Sequence, residues 1–349
     1  MIVSTFANII EGALSDRTRS RWGRRTPWII GGSAGTAICI VFWGQCTEIW
    51  QVVLSDCVYM IFLNMIVAPL IAFIADRTAP KYRGTISSIY ALGNAAGQYG
   101  GQAFASMFLP IPAVGFLVLA AVTLFSGPVA ALFIREKSTK TMPVERITIR
   151  NFSDNFAFPT KGARDFYLAL FGKLAIQTAS FAISGYQLYI LTDYIRLKGG
   201  SLQAYVTYIS MILMVMAIVL SLIAGPISDR MKRRKLPVLI AGTLVAIGSL
   251  LPLFTNHAWI MLAYACVVGI GMGMFGAVDQ ALNIEVLPDQ KTAAKDLGLL
   301  NIANNGGQVF GPILAAAAIN LIGYHAIFPV ACVMAIVGTI LVGFIRKVK

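Results

Sequence analysis

The chain has 349 residues, 57% hydrophobic and only 12% charged, with a mean hydropathy of +0.75; this balance excludes an ordinary soluble domain and points to repeated membrane spans. The net charge of +13 implies no nucleic-acid partner, because the Lys and Arg sit in short loops between apolar runs rather than on one soluble face. Cys39, Cys46, Cys57, Cys266 and Cys332 lie in or at the ends of apolar segments without paired spacing, which argues against a disulfide framework or a metal knuckle.

A membrane span needs about 20 apolar residues. Apolar segments cover residues 1–14 (too short alone), 27–46, 50–75, 85–109, 114–134, 166–191, 203–224, 237–254, 259–284, 297–318 and 326–345. These are about eleven spans of an all-α membrane protein. No cleavable signal precedes them, since Met1 to Leu14 lacks a basic leading region. Residues 135–165 form the one long polar stretch, a linker between an N-terminal bundle (1–134) and a C-terminal bundle (166–349). Of the 28 Lys and Arg, only Arg196 and Lys198 lie in loops of the opposite parity, and Lys173 lies within a span. The basic loops and the C-terminus are therefore expected on the cytoplasmic side of the cell membrane.

The densest basic loop runs from Gly12 through Ser15, Asp16, Arg17, Arg19, Arg21, Trp22, Gly23, Arg24 and Arg25 to Pro27. Its Gly, Ser, Asp and Arg recur at one constant offset as Gly225, Ser228, Asp229 and Arg230, followed by further Lys and Arg and by Pro237. The chain is thus an internal duplication. This turn resembles the Gly-x-Leu-x-Asp-Arg-x-Gly-Arg-Arg signature of the major facilitator superfamily. Four residues inserted before Gly23 give the spacing of the glycoside-pentoside-hexuronide symporters and sucrose:proton symporters. The resemblance implies two pseudo-symmetric six-helix bundles around a midplane site. The opening helix and the start of the second have no counterpart here, which reads as a truncation, a misplaced start or a fragment.

Acids close each half at equivalent places: Asp76 in Ala75-Asp76-Arg77, and Glu285 three residues before Pro288. The resemblance implies a cytoplasmic latch of Asp16, Arg17, Arg25 and Asp76, with Asp229, Arg230 and Glu285 as a weaker copy; a carboxylate at a helix N-terminus beside an Arg can bias a two-state gate. Asn94 and Gln98 recur as Asn304 and Gln308, each pair one helical turn apart and beside glycines. Such amides either bond across helices or face a cavity and bind hydroxyls. Gln177 adds a further amide in the span 166–191.

Charges inside spans are the sharpest local signal, because an isolated one costs about 2.5 kcal/mol or more at the bilayer centre. They are Asp56, Lys173 and Asp279. Lys173 lies close enough to the inner edge to snorkel. Asp279, with Gln280, Asn283 and Phe275 nearby, is the leading functional candidate, the rival reading being a structural partner for a basic group.

Where related cation symporters carry two acids four apart, this chain has Ser4 and Asn8, which speaks against sodium coupling. The expected function is secondary transport of a small polar solute, a sugar or glycoside, coupled to protons or another cation. The chain is expected to work as a monomer without cofactor or metal. The alternatives are a drug or metabolite exporter, against which Gln98 stands where the antiporter signature has proline, and a non-transporting fragment. A hydrolase would need a nucleophile with a base, and His257 and His325 both sit near outer loops.

Overall fold

The structure, a computed structural model, describes residues 2–77, 92–134, 136, 138–139, 159, 163–231, 235–287 and 293–346. By its internal contacts the chain forms two compact units, residues 1–91 with 107–147, and residues 92–106 with 148–349.

In the first unit, α1 (Ile2–Arg17), α2 (Thr26–Trp43), α3 (Ile49–Arg77) and α5 (Pro112–Ile134) pack side by side, α2 against both α3 and α5, and α1 against α3. The contact between α2 and α3 is closed at one end by the Trp43 and Tyr59 rings, with centroids 4.5 Å apart. Helix α5 turns Leu117, Phe125, Leu132 and Phe133 outward. An apolar exterior of this kind suits lipid, not water.

The second unit begins with a π-helical turn, Ala96–Gly100, and α4 (Gly101–Ser106), both packed on α7 (Gly199–Met231). It continues with α6 (Arg164–Ser184), α8 (Lys235–Leu250), α9 (Trp259–Glu285), α10 (Ala293–Leu321) and α11 (Ile327–Gly343). The helix α6 packs against α10 and α11, α9 against α7 and α8, and α8 against α11. Two apolar clusters fill the interior. One, near the Ser184 end of α6, includes Ile183, Leu191, Ile209, Met261 and Phe328; the other, near its Arg164 end, includes Phe166, Ile176, Val238, Leu282, Leu300 and Val342.

Among the described residues there is no strand, and eight helices are long and apolar enough to cross a membrane. Prolines inside α3 (Pro69), α5 (Pro128) and α10 (Pro312) leave those helices continuous, as neighbouring helices allow in membrane spans.

Candidate functional site

The helix α6 determines where Lys173 goes. Buried residues recur along it at Phe166, Ala169, Leu170, Lys173, Ile176 and Ala179, while Phe171 faces outward. Lys173 therefore shares the inward face and is 2% exposed. This overturns the expectation that it snorkels: from the inward face its stem points at α9, not at the membrane edge. Its Nζ donates to Asp279 Oδ2 at 2.5 Å.

On α9 the one-turn spacing of Phe275, Asp279 and Asn283 sets all three on the buried face. Asn283 Nδ2 donates to the same Asp279 Oδ2 at 3.0 Å. One carboxylate oxygen thus receives an ammonium and an amide, and both charges lie out of solvent among apolar neighbours of the second cluster.

One turn beyond Lys173, Gln177 Nε2 donates to Asn304 Oδ1 of α10 at 2.9 Å. The close approach is made by Gly307, where a Cβ would fall 2.4 Å from Cβ of Gln177. The structure thus brings Gln177, Lys173, Asp279, Asn283 and Asn304 onto the facing sides of α6, α9 and α10. Gln308 is half-buried on α10, and Asn94 and Gln98 are exposed on the 92–106 segment. The side chain of Gln280 lies outside the described residues. Among the described residues no group of three or more His, Cys, Asp and Glu gathers that could hold a metal.

At the basic turn, the side chains of Asp16, Asp76, Asp229 and Arg230 lie outside the described residues. Arg17 is half-buried, Arg25 is 2% exposed, and Glu285 is exposed at the end of α9. The described acid at this turn is Glu136, just past α5. Its Oε2 accepts from the backbone N–H of Arg25 at 2.9 Å and of Thr26 at 3.2 Å, and from the Thr26 hydroxyl at 3.3 Å. It thereby caps α2 and meets the positive end of its dipole. Gly23 has φ +95°, and a Cβ there would fall 2.2 Å from Glu136 Oε2, so the turn needs glycine for both conformation and room. Thr139 N donates to Ser20 O at 3.2 Å, fastening the start of the linker to the same turn. The only sequence signal for Glu136 is an acid directly after an apolar span.

At the far end of the second unit, a cavity of about 500 Å³ is lined by Asp193, Tyr194, Arg196, Asn256, Tyr324 and His325. Tyr324 donates to Asp193 Oδ2 at 2.7 Å and Thr192 to Oδ1 at 2.9 Å, and these bonds hold the Asp193 carboxyl below its usual range. The buried Tyr194 hydroxyl donates to Pro252 O, so its contact with His325 Nδ1 at 3.1 Å has the histidine as donor.

The fold defines a multi-pass membrane protein with an ion pair buried among its helices, and its likeness to known proteins gives the family. The sequence profile of the Major Facilitator Superfamily matches residues 1–206 and again 169–349, so the chain belongs to that superfamily. A multidrug resistance protein MdtG of Escherichia fergusonii is 26% identical over 357 residues, which span 95% of this chain and 79% of that protein. An uncharacterized symporter of Synechocystis sp. is 78% identical over 23 residues, 7% of this chain and 4% of that protein. A crystal structure of a mutant of the peptide transporter POT with alafosfalin matches at a TM-score of 0.73 and 14% identity, over 98% of this chain and 83% of that one; the likeness is one of fold.

Proposed function

We propose that the chain is a secondary active transporter that moves a small organic solute by alternating access, driven by a proton gradient, with Asp279 as the proton-coupling group. The observation that carries this reading is the pair Lys173–Asp279. An ion pair buried within a bundle is expensive to build and adds little net stability, so its retention points to a second use. The surrounding amides Gln177, Asn283 and Asn304 supply hydrogen-bonding groups of the kind that orient a polar solute in a mostly apolar cavity.

For the direction of transport, export of organic compounds is the better-supported reading, because a relative matching nearly the whole chain is named a multidrug resistance protein. Uptake of a sugar or glycoside is the second reading, favoured by the inserted spacing of the basic turn and by the short match to a symporter. Under either, Asp16, Arg17, Arg25 and Asp76, with Asp229, Arg230 and Glu285, form the cytoplasmic latch. The basic loops and C-terminus face the cytoplasm of the cell membrane, and a monomer suffices.

The test is transport in proteoliposomes under an imposed pH gradient, with aromatic cations and with neutral glycosides as alternative solutes. Proton-dependent movement of the cations supports export, and of the glycosides supports symport. Movement of neither in a folded, correctly inserted chain overturns the reading.

A further inference from the structure

The hydrogen bonds around Asp279 leave two acceptors over. A carboxylate can only accept, so Asn283 must turn its NH₂ toward Asp279 however the amide is drawn, and Oδ1 is the atom left out. That oxygen is buried without a partner, as is Oε1 of Gln177, one turn from Lys173 on the same helix. Buried polar atoms are normally satisfied, and two such oxygens, one on the turn after Lys173 in α6 and one on the turn after Asp279 in α9, invite an explanation.

The charges that could face the pair are few. Among the described side chains, α7 over 199–224 and α10 over 299–321 carry none. Along α8 there is only Lys235, which donates to Ile345 O at the start of that helix. Lys173 is therefore the counter-charge of Asp279.

We propose that the Lys173 ammonium is a tethered cation standing where a coupling metal ion would sit against Asp279, so that the site accepts protons and excludes Na⁺, with Asn283 Oδ1 and Gln177 Oε1 holding the ammonium once Asp279 is protonated. This rests on the reading of Asp279 as the coupling group. A second monovalent cation at this carboxylate would lie beside a fixed positive charge out of water, where repulsion is poorly screened. A proton needs no such room. It converts the carboxylate to a neutral acid, the lysine keeps its own charge, and two of the ammonium N–H groups turn to the two waiting oxygens while the third can stay on the carbonyl oxygen of the acid. The site thus changes from neutral to singly positive on loading, with one proton taken up from water, the ammonium hydrogen bonds redistributed and no covalent bond to carbon or nitrogen broken.

The probe is Na⁺ itself. The unfolding temperature of the full chain in detergent is measured in NaCl against choline chloride at equal ionic strength. The native chain is expected to show no Na⁺-specific shift, and Lys173→Arg likewise. Lys173→Ala is expected to gain a saturable Na⁺-specific rise, lost again in Lys173→Ala/Asp279→Asn. Where Lys173→Ala does not yield folded protein, Lys173→Gln, which keeps a donor for Asp279, carries the same test. A specific Na⁺ shift in the native chain, or a folded Lys173→Ala or Lys173→Gln variant that is indifferent to Na⁺, overturns the proposal. Failure of the pH-gradient assay with this Na⁺ pattern intact removes the coupling role of Asp279 alone and leaves the cation assignment standing.

Discussion

Lys173→Met and Asp279→Asn, singly and together, should reveal how strongly the buried pair is coupled. The side chains of Lys173 and Asp279 are 2% and 9% exposed, so neither charge can recover its hydration when the other is removed. Stranding one partner of such a pair costs about 3–5 kcal/mol, a large share of a typical total of about 5–15 kcal/mol. The double variant strands no charge. Its residual cost is the imperfect pairing of the amide left at 279, about 1–3 kcal/mol. Additive behaviour would give about 6–10 kcal/mol for the double variant, so the expected coupling is at least about 3 kcal/mol. Denaturant unfolding of the purified chain measures this. In proteoliposomes the double variant should keep downhill solute exchange and lose pH-driven accumulation. A double variant that costs the sum of the singles, or one that still concentrates solute along a pH gradient, would refute the reasoning.

Glu136→Gln should cost about 0.5–2 kcal/mol, because the cap keeps an acceptor but loses its charge at the N-terminus of α2. Gly23→Ala should cost about 1–3 kcal/mol from the positive φ, plus the displacement of Glu136. If both variants unfold like the native chain in denaturant, the linker does not cap this helix. For Asp193, whose carboxyl is held low chiefly by the Tyr324 hydroxyl, the native state is favoured above the ordinary carboxylate range near about 3.9. That advantage is lost as pH falls through the lower folded value, so the gap in unfolding temperature between the native chain and Tyr324→Phe should close on acidification; a gap constant with pH would show that the bond does not act through Asp193. Single cysteines placed in residues 135–165 should be shielded from an impermeant thiol reagent in intact cells, and labelling from outside would reverse the topology.

The pattern of apolar runs and basic loops was enough to reveal an all-helical membrane protein. Membrane insertion selects on length and hydropathy, properties that each segment carries by itself. The repeated turn and its Gly, Asp and Arg also pointed to the superfamily, since a turn signature is local. The spacing of Phe275, Asp279 and Asn283 likewise put them on one face, because helical periodicity is arithmetic. Which charge met Asp279 was a different matter. Lys173 lies 106 positions away, and whether its stem reached water or α9 depended on the face α6 buries, set by its packing against α10 and α11. The Glu136 cap, 110 positions from Thr26, was likewise invisible in sequence. A hydrogen bond between distant segments has no period and no motif, so it exists only once the helices have packed.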